Sequence, residues 1–370
     1  MNRIKNHSTP ARLILVAAVT VNLSALPLET NAATYSYIDL APSGFTYSQA
    51  FGISGSQQVG DGQGPATGNR PHAILWSGTA SSLVDLNPSG FTSSYAWGAS
   101  GGKQVGSGDG HALLWSGKAS SKVDLNPSGF NSSEARGISG SQQVGFGAGS
   151  ASGYTHALLW SGTANSVVDL NPSGFTTSEG HGISGSQQVG WGSISVNGNF
   201  HALLWSGTSG SAVDLNPGGI TYSQAYSISG GQQLGIGSGP ATGNNEHAFL
   251  WSGTASGAVD LNPSGFTYSQ GFGISGSQQV GQGATGIHEH ALLWSGSASS
   301  VVDLQSFLSS DYSDSYAYGI DPNGDVVGQA FFIPTGQNHA MLWVVPEPGT
   351  LTLLVLGGVA LLLRKRRGLD

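Results

Sequence analysis

One stretch of seven residues, His-Ala-Leu-Leu-Trp-Ser-Gly, recurs seven times with small changes and limits the fold more than any other feature. An apolar-Asp-Leu segment, a Gly-Ile-Ser segment and a Gln-Gln-Val-Gly segment recur with it, and most spacings are near 45 residues. Each unit therefore holds four short apolar segments separated by turns of Gly, Ser, Asn and Pro. Four short strands in a unit of this length are typical of a propeller blade. The sequence predicts an all-β fold, a seven-bladed β-propeller of four-stranded blades.

The order of the segments predicts how the ring closes. The first Asp-Leu strand, Tyr37 to Leu40, has no unit before it, and the last unit, which ends at Trp343, has no Asp-Leu strand of its own. We therefore expect the N-terminal strand to complete the last blade. A linear solenoid would instead need atypical capping repeats, and the units show none.

The composition excludes several kinds of site. The chain has no Cys, which excludes disulfides and thiolate metal ligands. Between residues 34 and 345, five Lys and Arg stand against 17 Asp and Glu, a net charge of −12. A negative domain of this kind does not attract phosphates, so we expect no nucleic-acid partner. No motif implies a cofactor.

The N-terminal segment, residues 1–33, has the order of a secretory signal peptide. Arg3, Lys5 and Arg12 form a basic start, and an apolar core begins at Leu13. Small residues at 30–33 offer a cleavage site. The alternative, a buried core helix, fits poorly because the segment lies outside the repeat. We expect export across the inner membrane.

The C-terminal segment, residues 346–370, has three parts in order: a Pro-Glu-Pro motif, an apolar run over 350–363 and a basic cluster. The motif is Pro346, Glu347 and Pro348, and the cluster is Arg364, Lys365, Arg366 and Arg367. This resembles the PEP-CTERM sorting signal of exported bacterial proteins. The resemblance implies processing by an exosortase-type protease, release from a transient inner-membrane anchor, and a host that makes exopolysaccharide. It leaves residues 34–345 as the propeller.

The apolar run is short for a membrane span. Fourteen residues rise roughly 21 Å as a helix, against a hydrocarbon core of about 30 Å. Snorkelling basic side chains extend its reach, and the basic cluster is expected to stay on the cytoplasmic side. This transmembrane helix would leave the propeller outside the inner membrane. An ordinary single span without processing is the alternative.

The repeat itself resembles the HAF family of extracellular repeats, named for a His-Ala-Phe element. His247-Ala248-Phe249 carries that element literally, while Leu or Ile usually replaces Phe in the other units. The resemblance covers about residues 37–343. It implies an exported propeller-like protein and brings no catalytic residues with it.

The seven repeat histidines are better explained as structural residues than as a catalytic or metal site. A catalytic site needs unlike groups that converge on one reacting atom, and seven equivalent positions around a ring do not converge. We expect an internal hydrogen bond repeated in every blade. These histidines are His72, His111, His156, His201, His247, His290 and His339.

A local function is expected where the units differ. The segments between Gln-Gln-Val-Gly and His-Ala vary, and they share a face with the crossovers between blades. Four residues at two successive crossovers depart from the repeat in charge. The candidate ligand face comprises Tyr154, Trp191, Phe200, Glu134, Arg136, Glu179 and His181.

Three functions fit these features. The first is a non-catalytic binding or scaffold protein of the cell surface or extracellular matrix, associated with exopolysaccharide. The second is a polysaccharide lyase or hydrolase on a propeller scaffold, with the four charged residues as its site. The third is a structural spacer whose repeats provide only mass and shape.

Overall fold

The computed structural model describes residues 35–149, 153–195 and 198–346. Within them the chain forms seven antiparallel four-stranded sheets. In each sheet, consecutive strands are hydrogen-bonded neighbours, apart from the sheet that joins the two ends of the chain. The predicted seven-bladed propeller is confirmed.

Each blade has the same order of strands from the channel outwards. The innermost strands are β2 (Tyr47–Ser54), β6 (Ser94–Ser100), β10 (Ser132–Ser139), β14 (Thr177–Ser184), β18 (Tyr222–Ser229), β22 (Tyr268–Ser275) and β26 (Tyr312–Ile320). The second strands are β3 (Gln57–Gln63), β7 (Lys103–Gly108), β11 (Gln142–Ala148), β15 (Gln187–Ser193), β19 (Gln232–Ser238), β23 (Gln278–Ala284) and β27 (Val326–Phe332).

The repeated His-Ala element forms the third strand, and the Asp-Leu element forms a short outer strand. The third strands are β4 (His72–Trp76), β8 (His111–Trp115), β12 (His156–Trp160), β16 (His201–Trp205), β20 (His247–Trp251), β24 (Glu289–Trp294) and β28 (Gln337–Val344). The outer strands are β1 (Ser36–Asp39), β5 (Val84–Asp85), β9 (Val123–Asp124), β13 (Val168–Asp169), β17 (Val213–Asp214), β21 (Val259–Asp260) and β25 (Val302–Asp303).

Helical structure in the described residues consists of single 3₁₀ turns in the connections. They span Pro65–Thr67, Ala80–Ser82, Ala119–Ser121, Ala164–Ser166, Ser209–Ser211, Pro240–Thr242, Ala255–Gly257, Ala298–Ser300 and Leu304–Phe307. Seven of them lead into or out of an outer strand, where the chain turns sharply before it crosses to the next blade. None of these helices is long and apolar enough to cross a membrane.

The N-terminal strand closes the ring, as the order of the segments predicts. β1 pairs antiparallel with β28, and Tyr37 lies opposite Trp343. The amide of Leu40 then donates to the carbonyl of Ala340 at 2.8 Å. Residues about 300 positions apart thus complete one sheet, so the last blade has the same four strands as the others.

The hydrophobic core lies between the blades. The tryptophan of every third strand is fully buried, together with the Ala and the apolar residue before it. One such cluster places Trp160 of β12 against Val105 and Leu114 of the preceding blade. Because each blade buries its apolar face only against its neighbours, the ring depends on all of these contacts at once.

Candidate functional site

Every innermost strand contains a β-bulge at the same point of the repeat. In β2, Ala50 lies opposite Gly60 and Gly52 lies opposite Val59, so Phe51 is the extra residue. A bulge removes one residue from the ladder and redirects its side chain. The glycine opposite is required, because a Cβ on Gly60 would lie 1.9 Å from the carbonyl oxygen of Gln49. This explains the glycine of every Gln-Gln-Val-Gly segment.

The seven bulge residues all line the central channel, and we call them the collar. Six have aromatic or imidazole rings and one is arginine, and each is half-buried. The collar is Phe51, Trp97, Arg136, His181, Tyr226, Phe272 and Tyr318. The residues directly before and after this position are nearly uniform, so the collar is one of the positions inside a strand at which the blades differ.

Ring contacts follow the collar from blade to blade. The centroids of Phe51 and Trp97 are 4.4 Å apart, and those of Phe51 and Tyr318 are 5.2 Å apart. Phe272 stands 5.6 Å from Tyr318 and 5.8 Å from Tyr226. The guanidinium of Arg136 lies over the Trp97 ring at 4.1 Å, a cation–π contact. The rings thus form a nearly continuous band around the channel.

The collar borders two cavities of the channel. One has a volume of about 320 Å³ and is lined by the seven collar side chains. The other, about 210 Å³, is also lined by the Gly-Ile pairs that follow the collar residues. The walls of the channel at this level therefore consist mostly of aromatic side chains.

The four charged residues were predicted at crossovers between blades, and this placement is wrong. Glu134 and Arg136 lie in β10 and Glu179 and His181 lie in β14, together beside the channel. Arg136 forms an ion pair with Glu134, and His181 Nε2 lies 3.5 Å from Glu179 Oε2. Burial raises the pKa of Glu134, the Arg136 charge opposes this, and the Glu179 charge adds to it. Burial lowers the pKa of His181, its hydrogen bond with Glu179 opposes this, and the nearby Arg136 charge lowers the pKa further. Burial thus disfavours the charged form of both groups, which is the environment of an acid–base pair.

A further buried carboxylic acid was not identified from the sequence. Asp61 of β3 lies opposite Gln49 and is 2% exposed. Burial raises its pKa to about 7, although a hydrogen bond from Gln49 Nε2 at 3.3 Å lowers it. Its counterparts in the other second strands are uncharged, so Asp61 adds to the asymmetry.

The three aromatic residues predicted in variable loops lie apart from the collar, and Trp191 lies in strand β15 and not in a loop. The rings of Trp191 and Phe200 pack together with centroids 4.2 Å apart, and Phe200 is 5.8 Å from Tyr222. Trp191 is only 9% exposed, so its face is covered by the protein, whereas Tyr154 is 41% exposed. Trp191 thus has little free surface for a ligand.

Every repeat histidine binds the aspartate of the outer strand in its own blade. The His Nδ1 to Asp Oδ2 distance is 2.7–2.8 Å in all seven blades. The same aspartate also accepts from the backbone amide two residues on, as when Asp85 caps Asn87 at 2.7 Å. The third strand and the following crossover are thereby tied together. In the described part of the chain, no three His, Asp or Glu residues converge as metal ligands.

Of the seven collar residues, only Arg136 and His181 are named from the sequence, although one signal in the sequence points to the whole collar. Within the segment that ends in Gly-Ile-Ser, the residue before the glycine is different in most units, while its neighbours hardly change. Arg136 and His181 stand out there by charge. Phe51, Trp97 and the other aromatic collar residues resemble ordinary apolar strand residues as long as the bulge is unknown.

Comparison with known proteins finds a sorting motif at the C-terminus. The PEP-CTERM protein-sorting motif matches residues 344–367. Of this segment the structure describes only residues 344–346, and the predicted span and basic cluster lie outside the described residues, as does the predicted signal peptide. A search of curated protein sequences finds no significant match.

Solved structures share the propeller at low identity. A puromycin hydrolase mutant bound to PGG has a TM-score of 0.57 and 13% identity, over 81% of this chain and 53% of that chain. A puromycin-hydrolyzing peptidase of Mycobacterium tuberculosis has a TM-score of 0.55 and 11% identity, over 83% and 55%. The chain spans about half the length of these proteins, and the likeness shows the fold alone. The PEP-CTERM motif implies export and processing by exosortase, and the exported domain is a seven-bladed β-propeller.

Proposed function

We propose that the protein is a non-catalytic saccharide-binding propeller of the cell surface or extracellular matrix, with exopolysaccharide as its partner. The observation that supports this most strongly is the collar. Seven units that are otherwise nearly identical place six rings and one arginine, at a bulge, around a channel cavity of about 320 Å³. Concave sites with ring walls and a few polar groups are the usual form of small-molecule sites.

The chemistry of the collar suits a sugar. A pyranose has apolar faces that stack on aromatic rings and hydroxyl edges that need hydrogen-bonding partners. Within the collar, Arg136, His181, Tyr226 and Tyr318 carry polar groups beside the rings. The net charge of −12 disfavours a polyanion. Neutral or cationic saccharides are therefore the expected ligands.

A glycan array with residues 34–345 tests the proposal. We expect binding of at least one neutral oligosaccharide, and Trp97→Ala is expected to weaken it tenfold or more. Tyr154→Ala is the matched control, because this aromatic is exposed and lies outside the collar. The proposal fails if no saccharide binds, or if both variants bind like the unmodified protein.

A polysaccharide hydrolase or lyase is the second candidate, favoured by the cluster of Glu134, Arg136, Glu179 and His181. Two carboxyl groups with different environments are the requirement for glycoside hydrolysis. Release of reducing ends from a bound polysaccharide would support this function, and Glu134→Gln and Glu179→Gln should each abolish it. Unchanged release in both variants would exclude this cluster as the site.

Two further parts of the proposal concern family and sorting. We infer that the repeats belong with the HAF extracellular repeats, on the strength of the His247-Ala248-Phe249 element. We also infer a transient inner-membrane anchor formed by residues 350–363. Mass spectrometry of the mature protein should find a C-terminus near Pro346, and an intact chain ending at residue 370 would contradict processing.

A further inference from the structure

A groove separate from the collar lies between two neighbouring blades, which are formed by β18–β21 and β22–β25. It has a volume of about 410 Å³ and is distinct from the channel cavities. It is lined by Asn244, Asn245, Glu246, Tyr268, Gln270, Gln282 and Glu289. Its size is that of a small-molecule site.

The two carboxylates of the groove come from the same position of successive repeats. Glu246 and Glu289 each stand directly before the repeat histidine, where the other five units carry Pro71, Gly110, Thr155, Phe200 and Asn338. The acidic pair is therefore particular to this groove and not a property of the repeat.

A chain of hydrogen bonds fixes the polarity of the groove. Gln270 Nε2 donates to Glu246 Oε2, which leaves Gln270 Oε1 as an acceptor. Gln282 Nε2 donates to that oxygen at 2.8 Å. Gln282 Oε1 must then be an acceptor, and it is buried without a hydrogen-bond partner in the described structure. The Gln282 residue is 6% exposed, so this orphan acceptor is costly unless a ligand donates to it.

The charge of the groove is uncompensated. Glu289 accepts hydrogen bonds from the hydroxyls of Tyr268 and Tyr316, which are neutral donors. Burial raises the pKa of Tyr268, as do its bond to Glu289 and the negative charges of Glu246 and Asp314. The sequence contains no Lys or Arg between Arg136 and Arg364. The nearby His288 is paired with Asp314 at 3.3 Å. The groove therefore favours a cation.

We propose that this groove binds the primary ammonium group of an amino sugar, a deacetylated hexosamine unit of a polysaccharide. An ammonium group has three donors and no acceptor, and the groove offers three acceptors in Glu246, Glu289 and Gln282 Oε1. A divalent calcium ion would require six to eight oxygen ligands. The Tyr268 ring supplies a face for the sugar. The saccharide part of this proposal rests on the proposed function; the ammonium part does not.

The test is calorimetric titration of the full chain with four probes: a glucosamine oligomer, its N-acetylated counterpart, spermidine and calcium ion. We expect the glucosamine oligomer to bind at least tenfold more tightly than the N-acetylated one. Glu246→Gln/Glu289→Gln should remove this preference, and Gln282→Leu should reduce it several-fold. Trp97→Ala, the collar variant, should leave the preference in place.

Each other outcome has a definite meaning. Equal binding of the two oligomers, or a preference that survives in the double variant, overturns the proposal. Calcium binding that is lost in the double variant, without any amine preference, overturns it in favour of a metal site. Spermidine binding as tight as the glucosamine oligomer overturns the saccharide part. Ammonium preference without binding of any neutral sugar supports the groove and counts against the collar.

Discussion

The third strand and the bulge of the innermost strand lie in the same blades, yet they differ in how much their residues vary between the seven units. The third strand keeps its His and Trp in all seven units, and its Trp is fully buried in each. The bulge position carries Phe, Trp, Arg, His or Tyr, and its side chain reaches the channel. The repeat is thus uniform where it supports the ring and diverse where it borders the channel.

The difference has a local physical cause. The third strand is paired on both sides and packs between blades, so every substitution leaves a cavity or an unpaired group. The bulge residue has no partner in the ladder, and its half-buried side chain borders the channel. Replacing it is expected to lower the free energy of unfolding less than replacing a residue of the third strand. This position can therefore vary between units without loss of the fold.

The largest predicted effect comes from a matched pair of tryptophans. Trp160→Ala should lower the free energy of unfolding by about 3–5 kcal/mol, because a fully buried ring leaves a cavity. Trp97→Ala in the collar should cost roughly 1 kcal/mol, since its ring is half-buried and only its neighbour contacts are lost. Chemical denaturation of both variants measures the difference. Equal losses would contradict the division between the two regions.

The next effect concerns Asp61, the buried acid beside the channel. Burial raises its pKa to about 7 from an ordinary value of 3.8, so the folded state binds this proton more tightly than the unfolded chain does. The stabilisation that results is full below pH 4 and is lost as the pH rises towards 7. Asp61→Asn should therefore stabilise the protein at pH 8 by up to about 4 kcal/mol, while changing little at pH 4. Thermal midpoints measured from pH 4 to 8 test this. A variant that is less stable at pH 8 would show that the charge is compensated.

A smaller effect separates the closing blade from the rest. Asp39 accepts from His339, from the Ala41 amide and from the Tyr312 hydroxyl, whereas Asp124 accepts from His111 and Asn126. Burial alone would raise the pKa of Asp39, but these hydrogen bonds hold it below its ordinary value.

Asp39→Asn should accordingly cost about 1–2 kcal/mol at pH 7, roughly twice the cost of Asp124→Asn. The extra stability is present above pH 4 and is lost as the pH falls through the lowered pKa. Urea denaturation at pH 7 and pH 3 compares the two variants. The same loss from both at pH 7 would show that ring closure adds nothing to this histidine–aspartate pair.

The smallest effect is expected on the loops. Tyr154→Ala should change the free energy of unfolding by less than about 0.5 kcal/mol, because this residue is exposed on a connection. Saccharide affinity should change less than twofold. A tenfold loss of affinity would move the binding surface from the collar to the variable loops.

The fold can be predicted well from the sequence because the same pattern of segments occurs in seven units. Four apolar segments per unit and the unpaired Asp-Leu strand at Tyr37 to Leu40 are sufficient for blade number and ring closure. Arg136 and His181 are recognisable by charge. Phe51 and Phe272 are not, because a bulge depends on the register between two strands, and a period-2 pattern alone predicts no extra residue.

The groove of Glu246 and Glu289 cannot be predicted from the sequence, for a related reason. These residues are 43 positions apart in sequence-equivalent places, and only the packing of successive blades brings both to Tyr268 and Gln282. Trp191 of β15 and Phe200 stand out in the sequence as aromatic residues, but their rings pack on one another.

We propose that the bulge residues determine saccharide binding, whereas the third strands determine the stability of the ring. The most direct measurement is a saccharide titration of Trp97→Ala/Phe272→Ala, with its thermal midpoint determined on the same sample. We expect this variant to unfold within a few degrees of the unmodified protein and to bind saccharide at least tenfold more weakly. Unchanged affinity, or collapse of the ring, would contradict it.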